Sequence, residues 1–141
     1  MILHLLQAGL LLSITVVIHA ALLVALWKWL QDRSDRVTQK FWSMTGLLVQ
    51  AAAVMVFAHL LEICVWAAFY VWRGALPDVE TALYFSAVTY ATIGYGDVVP
   101  PAEWRLVAGV EGLTGILMCG WSGGFFFALA SRMFAARRPQ G

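Results

Sequence analysis

Residues 92–97 decide how this sequence is interpreted, and they read Thr92-Ile93-Gly94-Tyr95-Gly96-Asp97. Glycine takes positive φ without the steric cost that other residues meet, so Gly94 and Gly96 let the peptides between them aim successive carbonyls in one direction. A row of carbonyls above the Thr92 hydroxyl replaces the hydration shell of a dehydrated cation. Because one chain supplies one row, about four copies around an axis are needed to surround an ion.

The residues before this stretch predict a short helix. Pro77 breaks the preceding helix, and Asp78 is a good N-cap. Glu80 lies in the first turn, where the positive end of the helix dipole stabilises an acid. The predicted helix, 79–91, is about 18 Å long, which is too short to cross a bilayer. A short helix followed by a glycine-alternating return is typical of a re-entrant loop, and non-helical backbone at membrane depth requires burial in protein or a water-filled path.

The composition indicates a membrane protein. Of 141 residues, 62% are apolar or aromatic and 12% are charged, whereas soluble domains have about 45–50% apolar and about 25% charged residues. Disorder, a nucleic-acid-binding surface and a disulfide scaffold are excluded by the same figures. Cys64 and Cys119 are expected to be ordinary buried thiols.

Three apolar runs, 1–27, 41–72 and 106–131, each exceed the roughly 20 residues that a spanning helix needs. Residues 1–4 contain no Lys or Arg and the basic residues follow the first run, so a retained helix is favoured over a cleaved signal peptide. Basic residues cluster in 28–40 and 132–138, which places both segments in the cytoplasm and the N-terminus outside. We therefore expect a multi-pass protein of the cell membrane, with the bilayer as its partner.

The sequence Thr89-Tyr90-Ala91-Thr92-Ile93-Gly94-Tyr95-Gly96-Asp97, set between two long apolar helices, resembles the signature of potassium channel pore domains of the two-transmembrane, pore-loop type. The resemblance covers about 41–133 and implies an all-α homotetramer: three transmembrane helices per chain plus a re-entrant pore helix and a selectivity-filter loop. The predicted segments are an extra N-terminal helix (1–31), a basic cytoplasmic loop (32–40), an outer helix (41–73), a pore helix (79–91), the filter (92–97), an inner helix (104–133) and a short cytoplasmic tail (134–141).

The resemblance also implies roles for single residues. The backbone oxygens of Thr92, Ile93, Gly94 and Tyr95 would bind K⁺, with the Thr92 side chain at the innermost position and Gly96 at the outer mouth. Asp97 would form a hydrogen bond behind the filter, with Tyr84 as its candidate partner. Val88, beside Thr89, stands where many family members have Glu, so filter inactivation and gating are expected to differ here.

Other residues have two interpretations each. Gly115 matches the family's hinge glycine, with Ile116, Cys119 and Gly123 then facing an inner cavity; close helix packing by small residues is the alternative. Glu62 and Glu111 are acids inside spans, where a modulatory role competes with a protonated, hydrogen-bonded structural role. His59 lies three residues before Glu62, which suggests a proton-sensitive pair. His4 and His19 show no ligand partners in the sequence and are interpreted as packing or interface residues.

Taken together, the sequence predicts a potassium-selective channel that conducts passively, with K⁺ in the filter and no other cofactor. An enzyme is not expected, because no nucleophile–base pair, phosphate loop or metal-ligand cluster is present. No span repeats Arg at every third position, so a voltage sensor is not expected and the gating stimulus stays open. The alternatives are a non-conducting accessory subunit, a less selective cation channel and a K⁺-translocating subunit of another transport class.

Overall fold

The computed structural model describes residues 2–34 and 41–135, and over these residues the chain is helical with no β-strand. The elements in chain order are α1 (Ile2–Ser34), α2 (Phe41–Trp72), α3 (Val79–Tyr90), a 3₁₀ turn (Ala102–Trp104) and α4 (Arg105–Ala135). The expectation of an all-α chain is confirmed.

The helix boundaries lie within three residues of the predicted ones. Helix α1 continues to Ser34, so the first residues of the predicted 32–40 loop are helical, and α4 continues to Ala135, two residues beyond the predicted end. The remainder of that loop (35–40) and of the predicted tail (136–141) lies outside the described residues.

Three of the helices are long and apolar enough to cross a membrane: Ile2–Asp32, Trp42–Trp72 and Ala102–Met133, the last including the 3₁₀ turn. Helix α3 has 12 residues and is not among them. The chain is therefore a multi-pass membrane protein, as its composition predicts.

Helix α1 packs against both α2 and α4, and α3 packs between α2 and α4. Two clusters of buried side chains hold these helices together. The one beside α3 includes Trp66, Tyr70, Phe85, Trp104, Val107 and Met118. The other, away from α3, includes Leu23, Leu26, Leu30, Leu47, Met55 and Leu129.

Aromatic contacts connect α1 to the 3₁₀ turn before α4 at one end and to α4 itself at the other. The His4 ring lies 4.4 Å from the Trp104 ring, centroid to centroid, which confirms His4 as a packing residue. At the opposite end the Arg132 guanidinium lies over the Trp27 ring, 5.3 Å from its centroid. A cation held over an indole face adds attraction beyond that of apolar contact. These contacts make α1 part of the helical unit along its whole length.

Candidate functional site

Helix α3 begins at Asp78, which caps it as predicted. The Asp78 carboxylate accepts one hydrogen bond from the Thr81 backbone N–H (2.8 Å) and another from the Thr81 hydroxyl (2.9 Å). These bonds satisfy a helix N–H that would otherwise lack a partner. They also favour the ionised carboxylate, so the pKa of Asp78 is held below its usual range.

The backbone of segment 92–97 alternates in handedness. Positive φ occurs at every second residue: Thr92 (60°), Gly94 (54°) and Gly96 (79°). The glycines were predicted to take this conformation, whereas Thr92 was not, because a threonine at positive φ costs on the order of 1–3 kcal/mol. Its conformation therefore depends on the contacts that surround the segment.

Those contacts come from the last turn of α3. The Thr92 N–H donates to the Thr89 carbonyl (2.9 Å), and the N–H groups of Ile93 and Gly94 both donate to the Val88 carbonyl (2.8 and 3.1 Å). Within the described part of the chain, no group donates a hydrogen bond to the carbonyls of residues 92–95. The segment thus uses its N–H groups for attachment and leaves a run of carbonyl oxygens free to bind a ligand.

Asp97 closes the segment through a side-chain contact. The Tyr84 hydroxyl donates to Asp97 Oδ2 at 2.6 Å, the partnership that the sequence suggested, and Asp97 Oδ1 accepts from the Val98 N–H at 3.0 Å. The bond from Tyr84 holds the pKa of the Asp97 carboxyl below its usual range and raises the pKa of the Tyr84 phenol. Asp97 is therefore a carboxylate at neutral pH.

A hollow of about 210 Å³ lies behind the segment. Its lining is mostly apolar and includes Phe85, Val88, Gly94, Val98 and Ala108. Val88 is part of this lining, and no acidic side chain of the described residues is. The side chains of Ile93 and Tyr95 are 52% and 69% exposed in the single chain.

Gly115 lies directly against the end of α3. A Cβ added there would stand 1.9 Å from the Tyr90 carbonyl oxygen, and one at Gly112 would stand 3.6 Å from the Thr89 carbonyl oxygen. The structure thus supports the close-packing interpretation of Gly115. Ile116, Cys119 and Gly123 are exposed on α4 in the single chain, so their faces are open to a cavity or to another copy. Cys64 on α2 is exposed as well, so the expectation that Cys64 and Cys119 are buried was wrong for the single chain, although both are free thiols as expected.

Glu62 and His59 belong to a buried polar cluster that includes a residue which the sequence did not connect to them. The His19 Nδ1 atom lies 2.8 Å from Glu62 Oε1, so the interpretation of His19 as a packing residue without a partner was wrong. This contact could not be predicted from local sequence patterns, because 43 residues separate His19 from Glu62. The ligand-type atoms of His19, His59 and Glu62 lie within 4.8 Å of one another. Each of these atoms also has a hydrogen-bond partner within the cluster, so the three residues take part in one hydrogen-bond network.

Glu111 of α4 makes a separate contact, with helix α2. It is fully buried and accepts a hydrogen bond from the Tyr70 hydroxyl at 2.8 Å, which links α4 to α2. The structure thereby gives Glu111 a partner in a neighbouring span.

Comparison with known proteins agrees with this arrangement. The ion channel family matches residues 56–132, which is more than half of the sequence, and the chain belongs to that family. The resemblance to potassium channel pore domains is confirmed. The voltage-gated potassium channel Kch of Escherichia coli (strain K12) is 43% identical over 54 residues, which cover 36% of this chain and 13% of that protein. The chain therefore corresponds to a small part of that relative. No solved structure matches.

Proposed function

We propose that the protein is a potassium-selective channel that conducts K⁺ passively down its electrochemical gradient. The observation that carries this proposal is the alternation of φ at Thr92, Gly94 and Gly96, combined with the attachment of the segment through its N–H groups. Together they leave the carbonyls of Thr92, Ile93, Gly94 and Tyr95 to bind the ion, with the Thr92 hydroxyl at the inner end. Carbonyl oxygens in such a row replace the water that K⁺ sheds.

Four copies around a common axis would complete the site, because a single row of carbonyls cannot surround an ion. The open hollow behind the segment and the exposed Ile93 and Tyr95 side chains support a surface that further copies cover. In this assembly α3 is the pore helix, and its C-terminal carbonyls place partial negative charge near the conducting ion.

The proposed orientation puts segment 92–97 at the outer face. Asp97 and Glu103 then lie at the outer mouth, where negative charge concentrates cations. Arg73 lies over the rings of both Trp72 and Trp104, 5.4 Å from each centroid, a pairing typical of a membrane–water boundary. The N-terminus is outside and the C-terminus cytoplasmic.

Ion flux from liposomes that contain the purified protein tests the proposal. We expect faster flux of K⁺ than of Na⁺, and we expect Gly94→Ala to abolish the K⁺ flux because alanine is strained at the Gly94 φ of 54°. Gly9→Ala is the matched control, since Gly9 lies in α1 with no atom near an added Cβ, and it should leave the flux unchanged.

Two of the alternatives correspond to distinct flux results. Equal K⁺ and Na⁺ fluxes would indicate a less selective cation channel. Absence of flux at every pH and voltage tested would favour a non-conducting accessory subunit. A crosslinking ladder that ends at the dimer would contradict the fourfold pore.

A further inference from the structure

Four helices meet at one buried polar cluster, which we call the His–Glu network: His19 of α1, His59 and Glu62 of α2, Tyr90 of α3 and Ser122 of α4. Ser122 Oγ lies 3.2 Å from His19 Nε2 and 3.1 Å from His59 Nε2. His19 Nδ1 contacts Glu62 Oε1 at 2.8 Å, and His59 Nδ1 contacts the Tyr90 hydroxyl at 3.1 Å. The Tyr90 hydroxyl also donates to Glu62 Oε2. The two histidine rings thus bridge the serine on one side and the glutamate–tyrosine pair on the other.

The number of hydrogen atoms available to this network can be counted without assigning any tautomer. Each of the five contacts needs one hydrogen between its two heavy atoms. The two hydroxyls supply one each, and each neutral imidazole supplies one more. With Glu62 ionised and both histidines neutral, one contact therefore has lone pairs on both sides. A single added proton completes every contact.

The same proton removes the net charge. Without it the network carries the negative charge of Glu62, and with it the network is neutral, whichever residue holds the proton. His19 and Glu62 are fully buried and His59 is 19% exposed, so an unbalanced charge here is costly. The spans contribute no Lys or Arg at this depth that would balance it.

Each of the four helices contributes polar or titratable side chains that face the His–Glu network. Helix α1 contributes His19, α2 contributes His59 and Glu62, and α3 contributes Tyr90. Helix α4 contributes Ser122, together with Cys119 and Glu111, which are close enough to interact electrostatically with Tyr90. The Trp121 ring lies beside His19, with 5.6 Å between ring centroids, and offers no charge.

We propose that the His–Glu network is a binding site for one proton, and that the bound proton joins α1 to α2, α3 and α4. This gives the N-terminal helix a role that the channel signature does not. The site also adjoins segment 92–97, because Tyr90 is the last residue of α3 and stands two positions before Thr92. Proton loss would therefore act on the docking of α1 and on the end of the helix that holds the segment.

The sign of the pH effect follows from proton counting. Above about pH 7, a free glutamate and two free histidines have lost all three protons, whereas the folded network keeps one. The folded state then binds one proton more than the unfolded state, so stability falls as pH rises, until the network itself deprotonates. The contribution is fully present near neutral pH and is lost at alkaline pH.

Glu62→Gln is the decisive variant. A glutamine amide donates an N–H to His19 Nδ1 and accepts from Tyr90 through its carbonyl, so it reproduces the protonated network with no proton to lose. Glu111→Gln is the matched control, because it also replaces a buried acid on a span by its amide but leaves all five contacts of the network in place.

Nitrogen NMR of protein with isotope-labelled histidine reads the site directly. We expect the signals of His19 and His59 to change together in one alkaline transition in the wild type and in Glu111→Gln, and to stay constant in Glu62→Gln. His4, which stacks on Trp104 outside the network, serves as an internal reference. Constant wild-type signals, an unchanged transition in Glu62→Gln, or a transition metal bound stoichiometrically to the purified protein would each overturn the proposal.

Reversible unfolding in mixed detergent is the second measurement. Between neutral pH and the transition, the folding equilibrium constant of the wild type should fall by about tenfold per pH unit relative to that of Glu62→Gln. Parallel pH dependences in the two proteins would contradict a bound proton. Neither measurement involves ion flux, so the proton site and the proposed conduction of K⁺ stand or fall separately.

Discussion

The carbonyl oxygen of Tyr90 occupies the space into which a side chain at position 115 would extend: a Cβ on Gly115 would stand 1.9 Å from it. Backbone atoms cannot turn aside as a flexible side chain can, so α4 and the end of α3 meet here only because residue 115 has no side chain. The contact sets the distance between α4 and the helix whose last turn holds segment 92–97.

Gly115→Ala is therefore expected to destabilise the protein by at least about 1–3 kcal/mol, because either α3 or α4 must move to admit the methyl group. Thermal unfolding in detergent measures the effect. Gly109→Ala in the same helix is the control, since no atom lies within 4 Å of its added Cβ. Equal unfolding midpoints for the two variants would contradict the close contact.

Tyr84→Phe is expected to shift the acid sensitivity of the outer mouth to higher pH. The phenol donates to Asp97 and lowers the pKa of that carboxyl, so its removal lets the pKa of Asp97 return towards the ordinary value. The charge of Asp97, present above this pKa, is then lost earlier as the pH falls. K⁺ flux measured as a function of pH shows the shift.

Asp97→Asn provides the control for that titration, because an amide has no charge to lose. The K⁺ flux of Asp97→Asn should not show the acid transition that Tyr84→Phe moves to higher pH. If the transition persists in Asp97→Asn, another group is responsible for it.

Asp78→Ala is expected to lower the unfolding midpoint by about 2–4 °C, because it removes the acceptor for both Thr81 bonds at the start of α3. Asp78→Asn should recover most of this loss, since asparagine is an equally good N-cap. The comparison is made by thermal unfolding at neutral pH. Equal losses in the two variants would show that the carboxylate charge, and not the cap, is what stabilises the helix.

Tyr70→Phe is expected to cost about 1–3 kcal/mol, because it leaves the buried Glu111 carboxyl without its hydroxyl donor. Glu111→Gln should cost less, since the amide carbonyl still accepts the bond from Tyr70. Free energies of unfolding of the two variants give the test. A Tyr70→Phe protein as stable as the wild type would mean that this contact contributes nothing to stability.

Much of the site could be predicted because its residues are neighbours in sequence. The cap at Asp78, the short helix after it and the positive φ of Gly94 and Gly96 all depend on local backbone chemistry. The pairing of Tyr84 with Asp97 spans only 13 residues. Thr92 was not predicted because hydrogen bonds that its segment donates to carbonyls of the last turn of α3 hold it against its own steric preference.

The amino-acid sequence by itself determined the solvent, the three spans, the short helix between the second and third of them, and the segment that resembles a potassium filter. These follow from apolar run length and from the backbone preferences of single residues. Only the tertiary structure showed that Gly115 is a contact point and that His19 shares a network with Glu62. Both contacts depend on which faces of the helices meet. A span that is apolar on every side has no sequence pattern that marks the face it buries, so only the packed structure shows which residues come together.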